Sequence, residues 1–386
     1  MPEAPNRHPG WDARETGGLL GGIAIAVRPS AERVERAQKE CAELLADEAG
    51  ARPVRWTPEW RDALAGEVAR AVASRELPGA WVPALGVPRF VHGQSQGICD
   101  LFGARVEAQP DGNYFVHPLT PEPARIDAVT PREIESSQYW GAVEWVRYAR
   151  AACRGRFEFR NPVMTGPFDT ANYLLGTTVL MEWVYTQPAA LHRLLDKLAG
   201  VIAGMMGALR EAAGGTLHGD ALACMRNAFC LCSECRSLVS ASTYEEFEAP
   251  YLARIGRQLG PYGIHACGSW ERTVPGAFRD PHLRAMNGQV RENDLASLCR
   301  LAGGRILLSI GPSRNLPERY TWPDTRSFLR HVLEAVPAGQ PLEVVIDEGD
   351  LALWDALAAC RDVKTAGAEF SGSPTAVSRK RTSAFE

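Results

Sequence analysis

The chain has 386 residues, of which 45% are hydrophobic and 23% charged, and its formal net charge is −4. This composition is typical of a globular protein that buries a sizeable core. So small a net charge gives no reason to expect nucleic acid or an anionic membrane surface as a partner.

The N-terminal region shows neither a membrane-spanning nor an export pattern. Its most apolar run, Gly17 to Val27, has about half the length that a bilayer-spanning helix needs. The residues before it are polar, carry charges of both signs and do not resemble a signal peptide. The ten cysteines lie at irregular spacings, which favours reduced thiols over a disulfide framework. Together these features predict a cytoplasmic protein.

The first third of the chain predicts helices and loops. Residues 1–20 are rich in proline, glycine and charge and predict a flexible arm. One helix is predicted over Ser30 to Gly50, with Ser30 as its N-cap, and a second over Trp60 to Ser74. The many glycine, proline and aromatic residues of 80–120 are typical of loop-rich, substrate-facing structure.

From about residue 155, short β-type runs alternate with amphipathic helical runs. The predicted strands cover Phe157 to Asn161, Ala221 to Leu231, Gly263 to Cys267, Leu283 to Asn287, Arg305 to Ile310 and Leu342 to Asp347. The predicted helices cover 171–185, 188–213, 243–260, 291–302, 323–336 and 350–360. This alternation predicts a parallel sheet with crossover helices.

About six such units favour a closed (β/α)8 TIM-type barrel over an open doubly wound sheet. With its N-terminal helical extension, this barrel would cover residues 21–370. Residues 371–386 contain serine, threonine, lysine and arginine and predict a flexible tail.

His265 and Cys267 stand two residues apart at the end of a predicted strand. Because alternate residues of a strand point to the same face, both side chains would reach one point in the barrel mouth, where such barrels hold their catalytic groups. An imidazole nitrogen and a thiolate suit Zn²⁺. The pair is also compatible with plain core packing, since a buried free cysteine behaves as a small hydrophobe.

A catalytic zinc ion usually has three protein ligands, and the third is open at this point. The candidates at the preceding strand end are Glu234, Cys232 and Cys235, and those at a later strand end are Asp347 and Glu348. Glu234 would serve as a ligand or as a general base.

Four further residues are candidates for contacts with a small-molecule substrate: His92, Asp169, Asn172 and Arg314. Asp169 and Asn172 follow a Gly-Pro turn before a predicted helix, so they are equally suited to capping that helix. His92 equally suits capping of its own loop. Arg314 follows a predicted strand and would hold an anionic group together with backbone amides.

Several segments of this sequence resemble the uroporphyrinogen-decarboxylase superfamily, which includes cobalamin-linked methyltransferases and zinc enzymes that alkylate coenzyme M. The resemblance covers roughly residues 80–365 and implies the (β/α)8 barrel. The segments that carry it are Asn161 to Ala171 with Leu174 to Gly176, Gln187 to Leu195, Glu234 to Phe247, and Ala249 to Leu252.

In the methyltransferase branch of that superfamily, a His-x-Cys pair and a distant cysteine bind zinc, which activates a thiol to accept an alkyl group. His265 and Cys267 match the first two ligands. The stretch that corresponds to the distant cysteine, Pro341 to Glu348, contains no cysteine. Glu234 stands where many relatives carry aspartate. The decarboxylase branch fits less well, because its arginine-rich N-terminal motif is not found, and Val87 to Gly93 is the nearest basic loop.

Three hypotheses about function follow. The first is a metal-dependent, zinc-using methyl or alkyl transferase that activates a thiol or similar nucleophile at His265 and Cys267, with a corrinoid as methyl donor and a corrinoid protein as partner. The second is a metal-dependent lyase, decarboxylase or hydrolase that acts on a small carboxylated substrate at the same site, which a harder ligand set with Glu348 or Asp347 would favour. The third is a non-catalytic corrinoid- or metal-binding protein. Monomer and homodimer are both left open.

Overall fold

The computed structural model describes residues 23–41, 45, 52–78, 82–119, 121–220, 227–289, 291–312, 322–337 and 339–366, with side chains up to residue 359. The predicted arm at 1–20 and the predicted tail at 371–386 lie outside these residues. None of the helices within the described ranges combines the length and the apolar character that a membrane span requires.

The N-terminal part contains one strand and two helices. Strand β1 covers Ile23–Arg28, helix α1 covers Ala31–Glu40 and helix α2 covers Pro58–Arg75. Ser30 is the N-cap of α1, as predicted, and its side chain accepts a hydrogen bond from the backbone N–H of Arg33. The predicted helical extension is therefore present, although α1 ends at Glu40, the middle of the predicted span, and β1 was not anticipated.

A β-hairpin and a helix lie between this part and the main sheet. Strands β2 (Arg105–Ala108) and β3 (Tyr114–His117) pair antiparallel, and helix α3 covers Trp140–Ala152. The segment around residues 80–120 is otherwise loops and short 3₁₀ turns, in agreement with its high glycine and proline content.

The main sheet is parallel and has six strands in the order β1-β10-β9-β8-β7-β6. Its remaining strands are β6 (Phe229–Cys232), β7 (Tyr262–Ala266), β8 (Leu283–Gln289), β9 (Leu307–Gly311) and β10 (Leu342–Asp347). Beyond β6 the strand series continues through Thr165, which bridges to Cys232, and through the parallel pair β4 (Phe159–Arg160) and β5 (Leu217–His218). This is a TIM-type barrel, as the alternating pattern predicted.

The crossover helices correspond to the predicted ones, with two divisions and one short helix, Val274–Ala277, that was not predicted. They are α4 (Pro167–Leu175), α5 (Thr177–Thr186), α6 (Pro188–Ala212), α7 (Ala241–Phe247), α8 (Ala249–Leu259), α9 (Val274–Ala277), α10 (Leu295–Ala302), α11 (Thr325–Ala335) and α12 (Leu351–Ala366). Gly176 separates α4 from α5 because its φ of 77° lies in the left-handed region, which a continuous α-helix cannot contain. Pro250, at the start of α8, accompanies the second division.

The barrel strands are buried on both faces, as parallel strands covered by helices should be. In β10 every residue from Leu342 to Ile346 is buried, and Glu343 is the one polar residue among them. The register places Cys232, His265, Asn287, Ser309 and Glu343 opposite one another on five successive strands. Residues paired in this way point to the same face of the sheet, so one row of polar side chains crosses an apolar sheet.

The close approach of α3 to the 3₁₀ turn at Arg89–Val91 depends on Gly141. A Cβ atom at this position would lie 1.8 Å from the carbonyl oxygen of Val91. We therefore expect Gly141→Ala to lower the free energy of unfolding by about 2 kcal/mol or more, because the backbone must move apart. Gly200→Ala in α6, where the nearest atom would be Arg254 Nη2 at 3.8 Å, is the matched control and should be neutral or stabilising. Urea unfolding of the two variants measures the difference, and equal stabilities would contradict this packing.

Candidate metal centre

Three ligand-type side chains meet at the carboxyl ends of β6 and β7. Glu234 follows β6, His265 lies in β7, and Cys267 follows β7 directly. One potential ligand atom of each residue lies within 4.8 Å of those of the other two. His265 Nε2 is 3.2 Å from Glu234 Oε1 and 3.5 Å from Cys267 Sγ. The structure thus brings together the predicted pair and one of the candidates for the third ligand.

These separations fit a metal ion of the size of zinc. Ligand bonds of about 2.0–2.3 Å in a tetrahedron give ligand–ligand edges of roughly 3.3–3.8 Å. The two separations that involve His265 are close to these edges. Nitrogen, sulfur and carboxylate oxygen are all ligands that zinc accepts, and three protein ligands leave a fourth position for a substrate.

Charge complementarity within the cluster is strong. Burial is the largest single influence on His265 and acts against its protonation, but its hydrogen bonds with Cys267 and Glu234 and their charges together raise its pKa to about 10. Burial likewise acts to raise the pKa of Glu234, but the bonds with His265 and Cys267 lower it below its ordinary value. In the metal-free protein His265 therefore carries a proton at neutral pH.

The loop that carries Glu234 is held in place by two sets of hydrogen bonds. Glu234 Oε2 accepts from the backbone N–H of Cys267 at 2.6 Å, so Oε1 is the oxygen that faces His265. The backbone N–H groups of Glu234 and Cys235 donate to the two oxygens of Asp169 at 2.6 and 2.8 Å. Burial raises the pKa of Asp169 to about 6, against the lowering effect of these backbone bonds. Its carboxylate orders the loop rather than capping α4.

The far side of the His265 ring is also bonded. Nδ1 lies 2.5 Å from Asn287 Oδ1, and Asn287 Nδ2 donates to the carbonyl oxygen and Oγ of Ser309. Ser309 Oγ donates to Glu343 Oε1 at 2.6 Å. Sequence reasoning missed these three residues. A signal was available for two of them, because Ser309 is the one polar residue of β9 and Glu343 stands among apolar residues in β10. In β8, Asn287 shares the strand with Arg284 and Gln289 and does not stand out.

Glu348, the fourth predicted metal ligand, does not belong to this cluster. It lies after β10, where its carboxylate accepts from Arg33 Nε at 2.8 Å, forms an ion pair with Arg33 Nη2, and accepts from the backbone N–H of Ser30. The hydrogen bond with Arg33 lowers the pKa of Glu348 to about 2. Asp347, its neighbour, lies 4.0 Å from Arg28. The physical reason is local: the end of β10 adjoins β1, whose following loop and helix provide the basic partners.

Cys232 and Cys235, the thiol alternatives for the third ligand, are not members of the cluster among the described residues. Burial raises the pKa of both thiols well above the ordinary value, and nearby carboxylates add to the effect. Both cysteines therefore keep their protons at neutral pH in the metal-free protein.

The predicted substrate residues have varied surroundings. His92 is buried with its ring edge against Tyr139, and burial lowers its pKa to about 4, so the imidazole is neutral. Asn172 lies half-buried on α4, and its Oδ1 has no hydrogen-bond partner within the described part of the chain. Arg314 lies outside the described residues. Contacts of His92, Asp169 and Asn172 with a substrate stay predictions.

Comparison with known proteins agrees with this architecture. Residues 97–287, which contain all three members of the cluster, match the family described as Uroporphyrinogen decarboxylase (URO-D). Over these residues the chain is similar to that family. The two relatives described next are both methyltransferases by name.

Two relatives from Methanosarcina mazei illustrate the likeness. The chain is 30% identical over 115 residues to the methylated-thiol–coenzyme M methyltransferase, a match that spans 30% of this chain and 29% of that protein. The chain thus matches less than a third of that relative's length. A solved structure, a methyltransferase from the same organism, superimposes with a TM-score of 0.59 at 15% identity and covers 92% of this chain and 97% of the other, which shows the shared fold.

Because a proton must leave His265 before Nε2 can bind a metal ion, zinc affinity should depend on pH. We expect the affinity of the metal-free protein for Zn²⁺ to rise at least about tenfold per pH unit between pH 7 and 9. Competition with a chromophoric chelator of known proton affinity measures this slope. The raised pKa also stabilises the metal-free fold fully below pH 6.5, a contribution that is lost as pH rises through about 10. A Zn²⁺ affinity that does not change between pH 7 and 9 would contradict the protonation of His265 in the metal-free cluster.

Proposed function

We propose that this protein is a zinc-dependent methyltransferase that transfers a methyl group to a thiol or a similar nucleophile at Glu234, His265 and Cys267. The observation that carries the proposal is the convergence of three ligand atoms within 4.8 Å at two adjacent strand ends of the barrel. The methyltransferases among its relatives support the reaction class, and the name of one of them includes a thiol acceptor, coenzyme M.

In this proposal Glu234 Oε1, His265 Nε2 and Cys267 Sγ would hold the metal ion. A zinc ion bound there would supply a Lewis acid that lowers the pKa of a substrate thiol, so that the thiol loses its proton at neutral pH. The protein's own contribution is to hold the three ligands in place before the substrate arrives. Asp169 orders the loop of Glu234, and the Cys267 N–H orients its carboxylate.

The transfer itself is a nucleophilic displacement. The thiolate sulfur forms a new bond to the methyl carbon, and the bonding electron pair of the old bond remains with the methyl donor. A methyl-corrinoid is the donor that the sequence resemblance implies, and when bound it would supply the methyl group and keep that electron pair. Cys232 and Cys235 stay protonated because of burial, so neither competes with the substrate thiolate as a nucleophile.

One observation favours a second candidate. A carboxylate in the ligand set donates less electron density than a second thiolate would, and therefore leaves the metal ion more Lewis acidic. Such a site also suits a metal-dependent hydrolase, lyase or decarboxylase that acts on a small carboxylated substrate.

Metal analysis of single variants tests the ligand assignment. We expect purified protein to contain about one zinc ion per chain and Glu234→Gln, His265→Ala and Cys267→Ala each to lose most of it, because each removes one of three ligands. The matched controls are Glu348→Gln, His117→Ala and Cys299→Ala, which remove the same residue types elsewhere and should retain zinc. Glu348→Gln should cost about 1 kcal/mol at most, through loss of the Arg33 pair. Stoichiometric zinc that persists in both His265→Ala and Cys267→Ala would overturn the assignment.

Turnover tests the reaction. We expect zinc-loaded protein to demethylate methylcobalamin in the presence of a small thiol, with formation of the methyl thioether, and His265→Ala to lower this rate by about 100-fold or more. Cobalamin absorbance and mass spectrometry of the thioether measure the two products. Hydrolysis or decarboxylation of small carboxylated compounds without methyl transfer would support the second candidate instead. Tight binding of cobalamin or zinc without any turnover would support a non-catalytic role.

A further inference from the structure

The row of polar side chains behind His265 runs across four barrel strands. His265, Asn287, Ser309 and Glu343 occupy paired register positions on β7, β8, β9 and β10. Ser309 and Glu343 are fully buried. Buried polar groups in an apolar sheet are costly unless their hydrogen bonds are satisfied, so a continuous row of them indicates a specific task.

The hydrogen bonds along this row have a defined direction. The carbonyl oxygen of Ser309 accepts a hydrogen bond at 3.1 Å from the side chain of Asn287. Of the two polar groups of that side chain, only the NH₂ group can donate it. Ser309 Oγ accepts from the same Nδ2 at 3.0 Å and donates its own hydrogen to Glu343 Oε1. Because both oxygens of Ser309 accept from it, Nδ2 of Asn287 points toward β9, and Oδ1 therefore points toward His265.

This orientation decides which nitrogen of His265 carries a proton when the ring is neutral. Asn287 Oδ1 is an acceptor only, so Nδ1 of His265, at 2.5 Å, must be the donor. Nε2 is then the nitrogen with a free lone pair, and it is Nε2 that faces Glu234 and Cys267. A second hydrogen bond of this kind generally fixes the tautomer of a metal-binding histidine.

We infer that Asn287 is the positioning residue that selects the Nδ1–H tautomer of His265, and that Ser309 and Glu343 hold its amide in that orientation. The inference rests on the proposed metal site, since the selected tautomer matters when Nε2 binds a metal ion. The Glu343 carboxyl group contributes at the far end of the row, where it accepts the Ser309 hydroxyl hydrogen and so leaves the Oγ lone pairs for Asn287.

A purely structural role for this row would predict a different outcome from a positioning role. If the row served only to satisfy buried polar groups, its loss would lower stability but leave the bound nitrogen of His265 and its proton unchanged. A readout on the ring nitrogens therefore distinguishes the two roles, whereas unfolding data alone do not.

The experiment compares wild type with Asn287→Leu, a substitution of similar size that removes the acceptor for Nδ1–H. Zn²⁺ affinity is measured by chelator competition, and ¹⁵N–¹H NMR of histidine-labelled, zinc-loaded protein identifies the metal-bound nitrogen and the Nδ1 proton of His265. We expect Asn287→Leu to bind zinc 10–100-fold more weakly and to lose the slowly exchanging Nδ1–H signal. An affinity within about threefold of wild type together with an unchanged Nδ1–H signal would overturn the inference.

Ser309→Ala and Ser309→Thr form a second pair that decides the question if Asn287→Leu does not fold. Removal of the hydroxyl should weaken zinc binding several-fold and broaden the Nδ1–H signal, and threonine, which keeps the hydroxyl, should restore both. Wild-type behaviour of Ser309→Ala would contradict the role of the row. These experiments use only zinc binding and NMR, so their result does not depend on methyl transfer. If the wild-type protein transfers no methyl group, the proposed reaction is overturned but this inference is not. If the variants bind zinc and give NMR signals as wild type does, this inference is overturned but the proposed reaction is not.

Discussion

The hydrogen bond from the backbone N–H of Cys267 to Glu234 Oε2 joins the ends of two neighbouring strands, and the candidate site depends on it. It fixes one carboxylate oxygen and so directs the other toward His265. Asp169 reinforces the same loop through two backbone N–H groups. Because both the carboxylate of Glu234 and the loop that carries it are held, little rearrangement would be needed to bind a metal ion, which is the condition for a preorganised site.

The candidate ligand set differs from the pattern that the sequence resembles. Glu234, after β6, lies beside His265 and Cys267, and the end of β10 is occupied by the ion pair of Glu348 with Arg33. Under the proposed function, a metal ion held by this set would be harder and more Lewis-acidic, with one thiolate ligand rather than two. Within the proposed function, this change would lower the pKa of a bound thiol further, at some cost to its nucleophilicity.

The polar row behind His265 shows how the barrel interior can support the site. Asn287, Ser309 and Glu343 come from three different strands, yet the parallel register aligns them with His265. Their hydrogen bonds satisfy one another in a region that excludes water, where such bonds are strong and directional. The orientation of a ligand at the barrel mouth is thereby linked to residues that lie far from it along the chain.

The sequence by itself determined what depends on local spacing. The alternation of strands and helices predicted the barrel, and the two-residue spacing of His265 and Cys267 predicted that both point to one face, since these are properties of short segments. The proximity of Glu234, rather than Glu348, to His265 and Cys267 was decided only by the tertiary structure. The same is true of the alignment of Asn287, Ser309 and Glu343 behind His265. Both depend on which strands are neighbours and in what register they pair. Strands that are separated along the chain by whole helices leave no sign of that pairing in the local pattern.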